Sequence, residues 1–375
     1  MALIDATMRR RAAGRIIKMT ALVAATLWSC RPVAAQWLKQ PTINIPRLPN
    51  GTPNLTAPTP RTADGKPDFS GLWALSLNPG YLANVLADLE PSDIQPWAEA
   101  VFAERLDRLG TDDPGTIGCQ PLGPRHITGG GTAGQAKIIQ TPSVIIVLFP
   151  DLAFRQIFMD GRTLEKNPFP SFEGYSIGHW EDDDLVVESN GFKDGTWLDF
   201  GGHPHTEALR MVERYRRVDF GHVWRQITII DPGTLNKPVT IEAEMRLTPD
   251  TELLEYICAE TPRETFHLEG RTAEQRALTL APDALAKFIG VYDMEPGATF
   301  GIEILNVTRS NGQLFVDFNG KGRIPLVALS PTMFSPRLLG TYEFIVDDKG
   351  VVTHLLAHAT EGDFKATRRG VGAVR

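Results

Sequence analysis

Nowhere in the 375-residue chain is there an apolar run approaching the roughly twenty residues that a helix needs to span a bilayer. Cysteine is scarce too. The three residues, Cys30, Cys119 and Cys258, form no C-x-x-C pair and have no cysteine-protease surroundings, which argues against a dithiol site or a thiol nucleophile. Basic charge is also short: 38 Lys and Arg against 45 Asp and Glu give a net charge of −7, so the chain should repel nucleic acid and anionic membrane surfaces. The run Gly129-Gly130-Gly131-Thr132-Ala133-Gly134 lacks the Lys-Ser/Thr of a phosphate loop and leads into strand sequence, so it reads as a mobile loop or lid.

What the chain does have begins with a leader. Arg9, Arg10, Arg11, Arg15 and Lys18 precede an apolar stretch, Met19 to Trp28, and the small residues Val33-Ala34-Ala35. That order is a bacterial-style secretory signal (residues 1–35) cleaved near Ala35, which predicts a soluble periplasmic or secreted protein. Lipidation at Cys30, after Leu27-Trp28-Ser29, is the alternative. Removing residues 1–35 takes away six basic residues and one acid, moving the net charge from −7 to −12. In an oxidising compartment the two remaining cysteines, Cys119 and Cys258, are expected to form a disulfide.

Residues 36–66 are rich in Pro, Thr and Asn without apolar periodicity, which predicts an extended arm. The folded part starts at Pro67, and Ser92 to Leu109 reads as an amphipathic helix with Ala98, Val101, Phe102, Leu106 and Leu109 near one face. Short β-rich runs follow, separated by turn chemistry: Lys137 to Gln140, Val144 to Phe149, Phe154 to Met159, Tyr175 to Trp180, Leu185 to Ser189, Leu209 to Val218, Val223 to Ile230, Val239 to Leu247 and Glu252 to Cys258. An antiparallel meander this long must close or fold over itself to hide its edges. The fold class is therefore all-β: a large antiparallel barrel or sandwich with one helix over residues 67–270, then a second β unit over 278–375. The second unit opens with a helical turn at Pro282 to Lys287 and continues with strands near Phe288 to Tyr292, Thr299 to Arg309, Gln313 to Phe318, Lys321 to Ala328, Thr341 to Val346 and Val351 to His358.

In that second unit the order FIGVYDM, GQLFVDFNGKGRIPLVALSPTMF, YEFIVDDKGVVTHLLAH resembles the small lipocalin-like β-barrel appended to β-lactamase-class serine hydrolases. The larger part, with PDFSGLW, CQPLGPR, IIQTP, FRQIFMDGR, SIGHWE followed by LVVE, WLDFGGHPH and VERYRR, resembles a family of secreted bacterial proteins, a resemblance that carries no activity with it. The chain departs from that family's pattern in one hairpin turn, where Asp182 and Asp184 stand in place of a Gly and a Thr.

Polar chemistry is densest between Gly174 and Arg217. Gly174-Tyr175-Ser176-Ile177-Gly178 matches G-x-S-x-G, but Ser176 precedes an acidic turn and a strand instead of a helix, and S-x-x-K is absent, so neither serine-hydrolase signature holds. His203, His205 and Glu207 alternate on one face of an extended segment, as a metal or an acid/base pair needs, or they cap turns. His179 is a candidate general base oriented by Asp160 or Asp199, or else a structural residue across the hairpin. Arg125, Arg155 and Arg210 suit an anionic ligand, with buried ion pairs to Asp160, Glu213 or Glu188 as the bland alternative. Trp180 and Trp197 read as core or pocket wall. The charges of Met211 to Arg217 read mostly as a solvated strand face.

These features point to a barrel that binds a small, partly apolar, anionic or aromatic molecule and acts on it by cofactor-free acid/base chemistry of the lyase, isomerase or hydrolase type. His179, His203 and His205 would carry protons, Asp160 and Asp199 would orient them, and Arg125, Arg155, Arg210, Trp180 and Trp197 would hold the ligand. Two alternatives stand beside it: a non-catalytic periplasmic binding or assembly module, self-associating through the C-terminal barrel, and a metal-dependent hydrolase at His203, His205 and Glu207.

Overall fold

The computed structural model describes residues 41–76, 81, 84–108, 112–129, 134–258, 277–296, 302–336, 340–359 and 362–370. The expected leader with Cys30, the end of the expected helix at Leu109 and residues 130–133 of the glycine-rich loop lie outside them. The described residues of Met1–Ile43 join Asp250–Glu252 in a small unit of their own, in which Thr42 and Asp250 exchange hydrogen bonds of 2.8 and 2.7 Å. All else belongs to one larger unit containing both barrels.

Nine strands close the first barrel: β1 (Gly71–Ser76), β2 (Gln135–Gln140), β3 (Val144–Leu148), β4 (Phe154–Phe158), β5 (Tyr175–Glu181), β6 (Asp184–Asn190), β7 (Arg210–Arg217), β8 (His222–Ile230) and β9 (Val239–Leu247). Each pairs with the next, and β9 returns to β1 with Leu247 opposite Trp73. The all-β expectation holds, with one correction: β4 and β5 run parallel, Ile157 opposite Ser176. Directions cannot alternate all the way round a ring with an odd number of strands, so at least one neighbouring pair must be parallel. The crossover from Met159 to Gly174 supplies it. Two further corrections concern β1, expected only as the start of the folded part, and Glu252 to Cys258, which forms no strand.

Alternation sets the inner face. On β9, Val239, Ile241, Ala243, Met245 and Leu247 are buried while the residues between them are exposed, the period of two expected of a strand with one covered face. On β7 the same period buries Met211, Glu213, Tyr215 and Arg217 and turns Arg210, Arg214 and Arg216 outward. The solvated-face reading of this segment is therefore right for only half of its charges.

The β5–β6 hairpin turns on Asp182 and Asp183, with Glu181 opposite Asp184. Asp182 has φ 53°, the left-handed conformation that short acidic side chains tolerate better than most. Of the two acidic departures, Asp184 accepts from Arg214 and Arg216, while Asp182 accepts from Lys66 through its backbone carbonyl; Asp183 between them pairs with Arg61 of the arm at 2.6 Å. The arm itself lies along the barrel: Ile45 and Leu55 pack on its core, and the N–H groups of Phe220 and Gly221 donate to the carbonyls of Ala57 and Leu55.

Helix α1 (Pro96–Asp107) starts later than expected, at a proline whose missing N–H costs nothing there; Pro91–Asp93 form a separate 3-10 turn. Its buried residues are Ala98 and Phe102. Two short helices, α2 (Pro114–Ile117) and α3 (Pro124–Thr128), have no counterpart in the sequence reading, and every residue of α3 is buried. Cys119, between them, forms the expected disulfide with Cys258 across 139 residues.

After α4 (Pro282–Leu285) come β10 (Gly290–Met294), β11 (Ile304–Ser310), β12 (Gln313–Phe318), β13 (Lys321–Ala328), β14 (Met333–Ser335), β15 (Thr341–Val346), β16 (Val352–Ala359) and β17 (Gly362–Arg368). Eight is even, and this barrel closes β17 on β10 with every pair antiparallel. Phe288, Tyr292, Phe334 and Phe344 interlock at its centre with ring separations of 4.7–5.6 Å. Only β14 and β17 were not legible in advance.

Candidate functional site

The buried charge of the large barrel gathers around α3. Its five residues have no polar face to turn outward, so each polar side chain must find a partner inside. His126 is the most constrained. Its Nδ1 donates to Glu173 at 2.8 Å and its Nε2 to Asp151 at 2.9 Å, while the ring stacks on Phe149 with centroids 4.0 Å apart. Burial alone would lower the imidazolium pKa; the two carboxylates outweigh it and push it up to about 9. Asp151 is correspondingly held below the usual carboxylate range, burial being overcome by His126.

Glu173 comes from the end of the β4–β5 crossover, which links it to a second buried set on the inner face of β4 to β8. There Arg155 donates through Nε to the Ser176 hydroxyl at 3.0 Å, and through one Nη to Ser189 at 2.8 Å and Glu213 at 2.5 Å. The Tyr215 hydroxyl donates to the other oxygen of Glu213. Register explains the meeting: Ser176 faces Ser189, Val187 faces Glu213 and Tyr215 faces Arg225 across successive strands. Burial opposes the charge of both Arg155 and Glu213. Their mutual attraction wins, raising the arginine pKa and lowering that of the glutamate, while Tyr215 is pushed up to about 12 by burial and the adjacent carboxylate. Arg225 completes the set, donating to the carbonyl of Ile127 on α3.

Not every group in this cluster is answered. Four buried side-chain atoms of the described residues have no hydrogen-bond partner: Arg125 Nε, Glu173 Oε2, Arg225 Nε and Asn190 Oδ1. The first three belong to α3 or to side chains bonded to it. An unpaired buried polar atom costs about 1–3 kcal/mol, more when charged, so three of them on or bonded to one short helix call for an explanation.

The residues singled out from the sequence are distributed differently. Arg155 is in the cluster. Arg125 is buried on α3 but is committed to Asp113 by two hydrogen bonds, of 2.7 and 2.9 Å, and lies over the Phe200 ring at 4.9 Å. Arg210 points outward to Glu188 at 3.4 Å, so the three arginines form no common clamp. His179 is half-exposed and contacts Glu181 at 3.3 Å; neither Asp160, paired with Arg162 at 2.6 Å on the surface, nor Asp199 orients it. Trp180 stacks on Phe69 and takes Lys66 over its face, whereas Trp197 is buried beneath Arg105 and Arg125. Ser176, bonded to Arg155 and Ser189, is the second residue of β5, which runs on to Glu181, and so is not at a strand-to-helix elbow.

His203, His205 and Glu207 do not act together. His205 is tied at both nitrogens: Nδ1 donates to the Thr206 carbonyl at 3.1 Å, which leaves Nε2 to accept from the Thr196 hydroxyl at 2.7 Å, and burial depresses its pKa. Glu207 is exposed. Among the described residues no three His, Cys, Asp or Glu side chains converge as a metal would require. His203 pairs instead with Asp199 at 2.6 Å and stacks on Phe102 of α1 at 3.6 Å. Asp199 is fixed by three further donors, the N–H groups of Val85, Gly202 and His203, and this contact set holds its pKa down against burial. His203 Nε2 has no partner among the described residues.

Sequence reasoning missed His126, Asp151, Glu173, Glu213 as a site residue, and Arg225. Alternation on β7 and β8 could have flagged Glu213 and Arg225 as inward charges. Nothing local marks His126, because the burial of α3 is a tertiary fact. The chain matches no protein-family model and no curated protein.

Proposed function

We propose that this is a secreted or periplasmic protein whose large barrel binds a small, partly apolar molecule with an anionic group against α3. The observation that carries the reading is the concentration of unanswered buried atoms there: Arg225, 4 % exposed, and Arg125, 1 % exposed, each keep an unpaired Nε. Charges held in a barrel interior cost desolvation energy that packing alone would not select, and such clusters belong disproportionately to functional sites. The edge of the cluster reaches solvent, since Asp151 and Glu173 each keep 12 % of their side-chain surface. Apolar neighbours are Ile127 and Ile227, which share one buried cluster, and Tyr215, whose ring lies 5.7 Å from the Arg225 guanidinium. The disulfide and the leader-like N-terminus support the extracytoplasmic placement.

The test is a melting screen of the mature chain against small carboxylates and phenols. A ligand at a hundred times its Kd should add about 2.7 kcal/mol, a rise of roughly 5–10 °C for a domain of this size, and Arg225→Lys should abolish the rise. Equal behaviour of wild type and variant across the screen refutes the reading.

The Asp199–His203 pair favours a second reading, proton transfer. With Nδ1–H held by the carboxylate, Nε2 is the basic nitrogen, the arrangement a general base needs. Deuterium exchange into a bound carbon acid, lost in His203→Gln, would establish it; exchange unchanged in that variant would make the pair structural.

A further inference from the structure

We propose that the C-terminal barrel positions the Asp199–His203 pair, and that Asn84 is the positioning residue through which it does so. Such positioning matters on the proton-transfer reading above, on which the inference rests.

His203 is held from two sides. Asp199 grips its Nδ1 at 2.6 Å, and the Phe102 ring of α1 lies 3.6 Å from the imidazole. These two contacts set which nitrogen carries the proton and where Nε2 points. Asp199 is itself aimed by backbone N–H groups. Those of Gly202 and His203 donate to Oδ1 at 2.8 and 3.1 Å, and that of Val85 donates at 3.0 Å to Oδ2, the oxygen that His203 uses. Gly202 and His203 belong to the same loop as Asp199, so Val85 is the one of the three donors that comes from a distant part of the chain.

Both supports lead to the C-terminal barrel. Asn84 immediately precedes Val85; its Nδ2 donates to the carbonyl of Arg323 on β13 at 3.0 Å, and its Oδ1 accepts from the Leu86 N–H at 3.0 Å. The second bond fixes which way the amide faces, and one side chain thus ties β13 to the turn that carries Val85. Helix α1 ends at Asp107, whose carbonyl accepts from Ala277 at 3.0 Å, and the next residue, Leu278, donates at 2.8 Å to Ala328 at the far end of β13. β13 suits the role because it is buried on both faces: Ile324, Leu326 and Ala328 lie in the barrel's core, and Val327 is 6 % exposed without belonging to that core. A strand packed on both sides does not move alone, so the placement of the barrel is passed on to Val85 and to α1.

The experiment follows the His203 Nδ1–H proton by NMR in the full chain, as wild type, Asn84→Asp, Leu278→Pro and His203→Gln. His203→Gln identifies the line by removing it. Asn84→Asp keeps the acceptor for Leu86 and loses the donor to β13, whereas Leu278→Pro loses the donor to Ala328 and leaves residues 84–86 as they are. Both should speed exchange of that proton with water about fivefold or more, the effect of one lost hydrogen bond, while amide exchange on β9 stays within about twofold of wild type. Exchange unchanged in either variant overturns the role: in Asn84→Asp the link is absent, and in Leu278→Pro the effect belongs to the turn and not to the barrel. β9 amides that speed by the same factor overturn it too, since the contacts then serve stability alone, as does a wild-type protein with no slowly exchanging line. The readout needs no ligand, so the two failures are separable. If deuterium uptake by a carbon acid is unchanged in His203→Gln, the proton-transfer reading has failed and the inference falls with it; if uptake is lost there and the Nδ1–H exchange of Asn84→Asp matches wild type, that reading stands and the positioning is refuted.

Discussion

Replacing Glu213 by Gln isolates the contribution of the barrel's central charge. Glu213 is fully buried; one carboxylate oxygen accepts from Arg155 and the other from Tyr215, and Arg225 lies close enough to lower its pKa as well. Gln keeps the shape and an acceptor oxygen but removes the charge, so Arg155, 3 % exposed, keeps its hydrogen bonds and loses the counter-charge it touches. Breaking a buried ion pair from one side costs about 3–5 kcal/mol, because the surviving charge remains desolvated and uncompensated. For a domain of this size that is a fall in melting temperature of roughly 6–20 °C. The assay is calorimetric or circular-dichroism melting of wild type, Glu213→Gln, Arg155→Met and the double variant Arg155→Met/Glu213→Leu. Both single variants should be destabilised by several times the loss in the double variant, since an apolar pair of similar volume leaves no charge behind. A Glu213→Gln protein melting within about 2 °C of wild type would refute the argument, as would single losses that simply add in the double variant.

Other outcomes follow from the same contacts. His126 is raised from its ordinary value to about 9, so its stabilising contribution is complete below about pH 6.5 and is lost as pH rises through 9; denaturant titrations should show the barrel losing up to about 3 kcal/mol over that window, and His126→Gln should flatten the slope. Reducing Cys119–Cys258, or replacing both residues by Ser, should lower stability by at most about 4–5 kcal/mol, the chain-entropy value for so long a loop, measured as a reductant-dependent melting shift. Gly174→Ala should destabilise more than an ordinary surface change, because φ is +67° and the new Cβ would meet the Asn190 carbonyl and the Phe192 ring at 2.8 Å; unchanged urea midpoints would contradict this. Arg217, whose pKa burial depresses to about 10, donates to the carbonyls of Asp68, Asp219 and Phe220, and Arg217→Met should cost about 1–3 kcal/mol in the same urea assay by leaving buried carbonyls unpaired.

Much of the architecture was legible locally. Strands such as Val239–Leu247, Gln313–Phe318 and Lys321–Ala328 coincide with their expected limits because a period of two and flanking turn residues are properties of a few consecutive side chains. The pairing of Cys119 with Cys258 followed from counting. The parallel β4–β5 pair did not follow from any segment, because it depends on how many strands share the ring. The candidate site was less legible for the same kind of reason. Asp199, expected to orient His179, pairs instead with His203 four residues on, and His179 and Asp160, equally plausible as chemistry, are surface residues in the fold.

What the amino-acid order determined by itself is the alternation that makes strands, the turns that separate them, and hence two β units. What only the tertiary structure decided is which charges face inward. The barrel's closure buries Glu213 and Arg225 while leaving Arg210 in water, and it encloses α3 so that His126 must take both Asp151 and Glu173 as partners. A side chain's chemistry is set by the dielectric and the neighbours around it, and those are fixed only when distant strands meet.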